Sequence, residues 1–292
     1  MIVLIFALGI MSSYGASMCY KMGSSRLKDR GYAPALLCSI YMSVAAIAYG
    51  VIMLVNGAPH FSPLTVAFAA MSGVSLALAA VFYLLAMQCG PYTTSAAIIN
   101  FSTFLPILYC AIFLHEEVSL RQFICLLCLL AVIFVIIFSN RKKDDPNKAG
   151  KKWAVMISAV LLFNGLINFG VRCQAKFVGG EQNENLFLYF LFAAATAFVI
   201  FLCCGGRRAT FAEFRTMTVP ALGLSVALGV NMMVNSVLPR LNVSSAIHYP
   251  VIYVGSMTLS TISGAVLFRD KIKPITYIAL VIGVVLVIMI SV

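Results

Sequence analysis

The sequence predicts an all-α integral membrane protein, with ten transmembrane helices arranged as two inverted five-helix repeats. Three observations lead to this fold class. The 292 residues are 62% hydrophobic and only 10% charged, which is far more apolar than a water-soluble domain requires. The apolar residues form ten runs, each long enough to cross a hydrocarbon layer of about 30 Å. The two halves of the chain also match each other at a shift of 150 residues.

The apolar runs are continuous rather than alternating, so they predict helices. Lipid offers the backbone no hydrogen-bond partner, and a helix satisfies its own backbone groups. The first run begins at Met1 without a basic leader, so we expect no cleaved signal peptide. The predicted spans are 2–20, 34–55, 64–87, 92–114, 119–139, 153–173, 185–204, 218–238, 243–268 and 273–292.

The basic residues predict the orientation of the chain in the cell membrane. Of the 20 Lys and Arg residues, 16 fall in the loops after the first, fifth, seventh and ninth spans. This bias predicts that the basic loops are cytoplasmic and that both termini are extracytoplasmic. The net charge of +11 is therefore a topology signal with contacts to anionic headgroups, rather than a nucleic-acid footprint. The other four are Arg121, Arg172, Lys176 and Arg240.

The cysteines predict neither a redox site nor a metal site. Nine are present, mostly inside the apolar runs. Cys125 and Cys128 form a C-x-x-C pattern, but they stand one turn apart in an apolar helix without the flanking acid or histidine that such sites use. We expect them to pack as small buried hydrophobes.

Comparison of the chain with itself divides it into two halves. The stretch GVSLALAAVFYLLAMQCGPYTTSAA aligns without a gap on GLSVALGVNMMVNSVLPRLNVSSAI, pairing Gly73 with Gly223. The predicted organisation is a first repeat over residues 1–140, a cytoplasmic basic linker over 141–152 and a second repeat over 153–292. Because each repeat has an odd number of spans, the second enters the membrane with the opposite orientation, as in many secondary transporters.

The segment GPYTTSAAIINFSTFLPILYCAIFLHEEVSLRQ resembles the drug/metabolite transporter superfamily in its ten-helix EamA-like branch. Members of that branch have a small polar patch before the fourth helix, a proline within it, and an acid and a Gln before the fifth. The second half echoes the pattern with Ser244, Ser245 and Ala246, then Asp270 to Pro274. In the first half the matching residues are Thr93, Thr94, Ser95 and Ala96, then Pro106, Glu116 and Gln122.

The resemblance implies a carrier, but this chain departs from the family in two respects. The residue after the acid is Glu117 rather than a basic residue. Ten-helix members also keep their termini in the cytoplasm, opposite to the orientation that the charge bias predicts here. Four-helix members use an acid in the first helix to exchange protons for cations, whereas the aligned positions here are Ser12, Ser13 and Tyr14. We therefore expect no exchange of that kind.

Polar side chains inside the apolar runs are the candidate substrate-binding groups, because burying them in hydrocarbon is costly. Asn164 and Asn168 are spaced i, i+4 on one span, and Asn231 and Asn235 on another, so each pair faces one direction. They suit a polar, zwitterionic or hydroxylated solute, and interhelical hydrogen bonding alone is an equal alternative. The aromatic candidates are Tyr14, Tyr83 and Tyr249, with Tyr41 and Tyr253 as further aromatic residues able to contact a solute. Packing or a position at the membrane interface is the alternative for these tyrosines.

The stretch NVSSAIHYPVIY contains the one histidine that falls inside an apolar run, since His60 and His115 lie in loops. Pro250 predicts a local bend in the helix close to it. We expect His248 to line the outer approach to the binding cavity and to couple transport to pH. A purely structural histidine is the alternative.

The expected function is secondary transport, as an exporter or exchanger, of a small polar metabolite such as an amino acid, by alternating access. We expect no enzymatic activity and no cofactor. The expected partners are the solute and membrane lipids, without nucleic acid, and a homodimer is left open. The alternatives are a carrier of nucleotide sugars or lipid-linked cargo from the same superfamily, a membrane-embedded enzyme, and a nonenzymatic scaffold.

Overall fold

A computed structural model describes residues 2–26, 30–57, 59–89, 95, 99, 104–115, 118–139, 149–267 and 274–291. Within these ranges the chain forms ten α-helices and one turn of 3-10 helix at Gly206–Arg208, without a strand. The predicted all-α class is confirmed. The helices are α1 (Ile2–Ser24), α2 (Ala33–Val55), α3 (Pro63–Cys89), α4 (Phe104–Phe113), α5 (Leu120–Ser139), α6 (Ala149–Phe177), α7 (Gln182–Cys203), α8 (Phe211–Arg240), α9 (Ser245–Leu267) and α10 (Pro274–Ser291).

Six of the described helices are long and apolar enough to cross a membrane. Their outward faces carry large apolar side chains, such as Val55 at 80% exposure and Val226 at 69%, which suit lipid rather than water. The prediction of a multi-pass membrane protein is confirmed at this level, whereas the number of ten spans stays a prediction. The six are Ile2–Ser24, Ala33–Val55, Pro63–Gln88, Lys152–Phe177, Gln182–Cys203 and Phe211–Arg240.

Several residues of the family pattern lie outside the described residues, namely Thr93, Thr94, Ala96, Glu116, Glu117 and the stretch from Asp270 to Lys273, as does most of the predicted linker. The linker's last residues are helical, because α6 already begins at Ala149. Gln122 has a clear local function. Its Oε1 accepts a hydrogen bond from the Ser119 backbone N at 3.0 Å, while the Ser119 Oγ accepts one from the Gln122 N at 3.2 Å. This reciprocal pair is a capping box that starts α5.

The helices of the first half pack mainly on helices of the second half. α1 lies against α8 and α9, α2 against α7 and α8, and α3 against α6 and α7. α4 contacts α6 and α9, and α5 lies along α10. The main apolar core therefore joins the halves, and its largest fully buried side chains include Tyr41, Tyr189 and Phe190.

A glycine permits a close approach between α3 and α7. A Cβ at Gly73 would fall onto the Tyr189 carbonyl oxygen and 3.1 Å from the Ala193 N. Because both neighbours are backbone atoms, they cannot move aside without moving α7. The small residue at this position therefore sets the separation of the two helices.

Two carboxylates fasten the ends of the helices where the halves meet. In the Glu181 junction, Oε2 accepts hydrogen bonds from the Ser62 N at 3.0 Å and the Ser62 Oγ at 2.9 Å, and Oε1 lies 2.8 Å from the His60 Nδ1. Partial burial opposes the ionised form, but hydrogen bonds from Thr65, Ser62 and His60 outweigh it and lower the pKa of Glu181 to about 2. The α6–α7 loop is thereby tied to the start of α3.

The Glu213 junction ties the start of α8 to the α1–α2 loop. The Tyr32 hydroxyl lies 2.9 Å from both carboxylate oxygens of Glu213, and the Arg30 Nε lies 3.4 Å away. Glu213 also accepts a hydrogen bond from the Thr210 N at 2.7 Å, which completes the capping box of α8. The Arg26 Nη1 adds a hydrogen bond to the Thr216 carbonyl. One acid therefore both starts a helix and holds a loop of the other half.

Candidate functional site

A cavity of about 100 Å³ lies between the two halves. Its walls come from α1 and α3 in the first half and from α6, α8 and α9 in the second. The volume suits several water molecules or one small solute. The polar side chains that line it are Ser13, Ser17, Tyr20, Tyr83, Asn164, Asn231 and Tyr253, and the apolar lining includes Leu76, Ala80, Ile167 and Met232.

The cavity lining is free of charge. None of the described residues that line it is Asp, Glu, Lys, Arg or His. The neighbouring segment 90–103, of which the structure describes residues 95 and 99, also contains none of these residue types in the sequence. A bound ion would find no counter-charge here, so its desolvation would be poorly compensated. A solute with hydrogen-bonding groups and no net charge fits this lining better than an ion does.

The four predicted asparagines form two layers. Asn164 and Asn231 line the cavity, whereas Asn168 and Asn235 lie one turn further along the same helices and are 1% exposed. The Asn235 Nδ2 donates to the Asn231 Oδ1 at 3.0 Å, and the Asn168 Nδ2 donates to the Asn164 carbonyl at 3.0 Å. Asn235 thus holds the side chain of Asn231, and Asn168 bonds the backbone at Asn164.

The predicted aromatic residues divide in the same way. Tyr83 lines the cavity and meets Tyr20 edge to face, with ring centroids 5.4 Å apart. Tyr249 is fully buried behind the wall, where its hydroxyl donates to the Asn168 carbonyl at 3.1 Å. Tyr14 is also not among the described lining residues, and its hydroxyl lies 2.6 Å from the Ser263 Oγ. Contact of Tyr14 and Tyr249 with a solute is therefore not favoured by this arrangement.

The two further aromatic residues differ in position. Tyr253 lines the cavity, and its hydroxyl donates to the Asn168 Oδ1 at 3.3 Å. Tyr41 is fully buried beneath the wall, with its hydroxyl 2.9 Å from that of Tyr20. Tyrosine hydroxyls on both sides of the cavity are thus held by neighbours within the protein.

His248 lies deeper than the sequence suggested. Its side chain is fully buried, stacks on Tyr249 with ring centroids 4.4 Å apart, and places Nε2 at 2.9 Å from the Asn235 Oδ1. Nδ1 has no hydrogen-bond partner among the described residues. The ring is separated from the cavity by Asn235 and Asn231, so it does not line the outer approach. A coupling role would require a conformation in which the ring reaches water.

Arg172 is buried close to this histidine. In the sequence it stands at the end of a predicted span, where a long basic side chain can extend to the membrane surface. It is instead 8% exposed and donates from Nη1 to the Val243 carbonyl at 3.0 Å. The guanidinium therefore fastens the end of α6 to the connection between α8 and α9.

The first helix supplies lining residues that the sequence interpretation did not select as binding residues. Ser13, Ser17 and Tyr20 follow each other at i, i+4 and i+7 and all line the cavity. This is the spacing that identified the asparagine pairs. The signal was present, but serine and tyrosine carry less weight than an amide in an apolar run.

The described cysteines and carboxylates do not converge on a metal-binding arrangement. Cys125 is buried and Cys128 exposed, and both are free thiols on α5. Among the described residues, no group of three His, Cys, Asp or Glu side chains is placed to hold a metal ion.

Comparison with known proteins identifies the fold and leaves the family open. No protein-family model matches the chain, and no curated protein matches it. Among solved structures 28 chains match. One crystal structure is similar with a TM-score of 0.64 and 15% sequence identity, over 97% of this chain and 98% of the other. At this identity the likeness is one of fold, and it extends over nearly the whole of both chains.

Proposed function

We propose that this protein is a secondary transporter of the cell membrane that carries a small polar solute without net charge, such as a neutral amino acid. The observation that carries this proposal is the cavity: it lies between the halves, has no charged side chain among its described lining residues, and is lined by two carboxamides and three tyrosines. Such a lining binds through hydrogen bonds and aromatic edges. Bulky or phosphorylated cargo is a poorer fit, because the volume is small and a phosphate would have no cation to meet.

We further propose ten spanning helices in two inverted repeats, as in the EamA-like branch of the drug/metabolite transporter superfamily. The helix pairing supports this organisation, because the main contacts between the halves are preserved when α1–α5 are exchanged with α6–α10. The pair α1 and α8 corresponds to α6 and α3, and the pair α2 and α8 to α7 and α3. The pair α1 and α9 corresponds to α6 and α4, while α2 with α7 and α5 with α10 correspond to themselves. This is the pattern of a twofold axis between the halves.

The two carboxylate junctions support the same axis. Each joins the start of a helix in one half to the loop between the first two helices of the other half. A shift of 150 residues brings Glu181 to position 31, beside Tyr32, and brings the start of α3 to the start of α8. The acid lies on the loop in one junction and on the helix in the other. The two junctions therefore occupy equivalent positions in the two repeats, although a different side of each junction supplies the acid.

This arrangement supports alternating access as the mechanism. Both halves contribute walls to the cavity, so a rocking movement of one half against the other opens the cavity at one end and closes it at the other. The two junctions lie between the halves and must loosen as their end opens. The carrier mechanism therefore needs no side chain to change its chemistry during the cycle.

The test is counterflow in proteoliposomes. Vesicles containing the purified protein are loaded with unlabelled L-alanine, L-serine or L-threonine, and uptake of the labelled solute is followed, with L-glutamate and L-lysine as charged comparisons. We expect protein-dependent counterflow for at least one neutral solute and none for the charged pair. Asn231→Leu should reduce it at least tenfold, because a carboxamide in the wall is lost. Asn56→Leu, at an exposed position, is the matched control and should leave it unchanged.

Two results would contradict the proposal. The first is the absence of counterflow for all three neutral solutes with a protein that remains folded and monodisperse. The second is chemical conversion of a solute without net movement across the vesicle membrane, which would instead indicate an enzyme.

A further inference from the structure

A chain of four hydrogen-bonded side chains runs from the buried histidine to the cavity. The His248 Nε2 lies 2.9 Å from the Asn235 Oδ1, and the Asn235 Nδ2 donates to the Asn231 Oδ1 at 3.0 Å. The Asn231 Nδ2 in turn donates to the Ser13 Oγ at 2.9 Å and to the Gly9 carbonyl at 3.4 Å. All four side chains are buried, and the last two line the cavity. These hydrogen bonds join α9 and α8 of the second half to α1 of the first half.

The direction of this chain is fixed at the Gly9 end. A backbone carbonyl can only accept a hydrogen bond, so the Asn231 atom that faces Gly9 must be the amide nitrogen. The Asn231 Oδ1 then accepts from Asn235, which leaves the Asn235 Oδ1 facing His248. His248 must therefore donate from Nε2, which requires a hydrogen on Nε2. Nδ1 meets no partner among the described residues, which fits a neutral ring with its lone pair on Nδ1. Every donor in the chain points from the histidine toward the cavity.

The hydroxyl proton of Ser13 is the free end of the chain. The Ser13 oxygen already accepts from Asn231, and within the described part of the protein its proton meets no acceptor. Because Ser13 lines the cavity, this proton is available to a bound solute. Aligned hydrogen bonds polarise one another, so a donor at the end of such a chain is strengthened.

We propose that the chain makes Ser13 the hydrogen-bond donor for an acceptor oxygen of the solute, either a carbonyl or a carboxylate, and that His248 is a positioning residue. This inference rests on the proposed carrier function and narrows its substrate class. A solute that lacks the acceptor leaves the serine proton unpaired in a buried site, and is thereby discriminated against. In this conformation the histidine directs donors into the cavity instead of exchanging protons with water.

The first test reads the histidine directly and requires no transport. The chain has three histidines, so nitrogen-15 spectra of histidine-labelled protein in nanodiscs contain three rings, and His248→Gln identifies one of them. We expect the His248 ring to show the chemical shifts of a neutral ring protonated on Nε2, and Asn235→Leu to shift the Nε2 signal. A neutral ring with its hydrogen on Nδ1 alone could not donate from Nε2 to the Asn235 Oδ1, and this result would overturn the proposal.

The second test measures KM and Vmax for the best-transported neutral amino acid of the counterflow panel. We expect Ser13→Ala to raise KM at least tenfold with little change in Vmax. His248→Leu should raise KM in the same way, whereas His248→Gln, which retains a donor, should recover most of the affinity. Ser39→Ala is the matched control, since Ser39 is a buried serine on α2 that donates to its own helix at Leu36.

The outcomes separate this inference from the carrier function. Normal transport with unchanged KM in Ser13→Ala would overturn the role of Ser13 and leave the carrier in place. Equal losses in His248→Gln and His248→Leu would show that the histidine contributes volume rather than a donor. Failure of the wild type to transport any neutral solute would remove the carrier function and the solute contact together, while the ring spectra would still decide the direction of the chain.

Discussion

At the scale of single residues, the depth of a polar side chain decides what it can do. The sequence pattern correctly placed each asparagine pair on one helix face, and it led to Asn164, Asn231 and Tyr83, which line the cavity. Periodicity gives the direction of a side chain around a helix but not its distance from the cavity. Asn168 and Asn235 therefore looked like binding groups, and His248 looked like a residue of the outer approach, although all three lie behind the wall.

Glycine provides a sharp prediction at the same scale. Gly73→Ala should lower the free energy of unfolding by about 1–3 kcal/mol, because the new Cβ meets the backbone of α7 and cannot be relieved by a side-chain rotation. The measurement is thermal unfolding in detergent, followed by the fluorescence of Trp153. Gly15→Ala is the matched control on another helix, since its Cβ would stand 3.7 Å from the nearest atom, the Ala227 Cβ. Equal effects of the two substitutions would contradict the close approach.

At the scale of elements, the junctions between helices lie beyond what the sequence could predict. The capping boxes of α5 and α8 are local patterns, in which a Ser or Thr precedes a Gln or Glu by three residues. The Glu181 junction is not local, since its partners are residues 60–65, in another part of the chain. Such pairs depend on how the halves pack, and no spacing along the chain encodes them.

The Glu181 junction predicts a dependence of stability on pH. Its pKa of about 2 lies below the ordinary value of 4.5, so the folded protein holds this acid ionised more strongly than the unfolded chain does. The stabilisation is fully present above the unfolded value and is lost as pH falls from about 4.5 toward 2. We expect the unfolding temperature of the wild type to fall across this window.

Glu181→Gln should remove much of that dependence and lower the unfolding temperature at pH 7. Glu184→Gln, which removes an acid one turn later on α7, is the control and should keep the wild-type profile. Unfolding temperatures measured from pH 2 to pH 7 in the same detergent decide between them. If Glu181→Gln kept the wild-type profile, the loss of stability at low pH would have to arise from other groups in the protein.

At the scale of the whole molecule, composition and repetition carried most of the prediction. The apolar runs anticipated the helices, and the two repeats that the self-match at 150 residues predicts are part of the proposal. The pairing of helices across the halves could not be predicted, because the helices are apolar on all sides and their pairing depends on the shapes of the faces in contact. Hydrophobicity places such helices in lipid, and small residues and buried hydrogen bonds then choose their neighbours.

The orientation of the whole molecule is tested by labelling cysteines. The charge bias predicts that the end of α7, with the exposed thiols of Cys203 and Cys204, faces the cytoplasm. In a variant that retains only these two cysteines, a membrane-impermeant maleimide should label inverted vesicles and leave intact cells unlabelled. Asn56→Cys, in a cysteine-free background, should give the opposite result. Labelling of Cys203 and Cys204 in intact cells would reverse the orientation and bring the termini to the cytoplasm.

The packing of each half on the other has a consequence for how the protein is made. α1, α2 and α3 are synthesised and inserted first, yet their principal neighbours are α8, α7 and α6. Their contact faces, including the buried serine and tyrosine positions, therefore stay exposed to lipid until the second half has left the ribosome. α1, α2 and α3 must therefore remain in the membrane without aggregating until their partners are inserted. The last helices to be synthesised complete the fold, so a truncated chain is exposed to membrane quality control along its most polar faces.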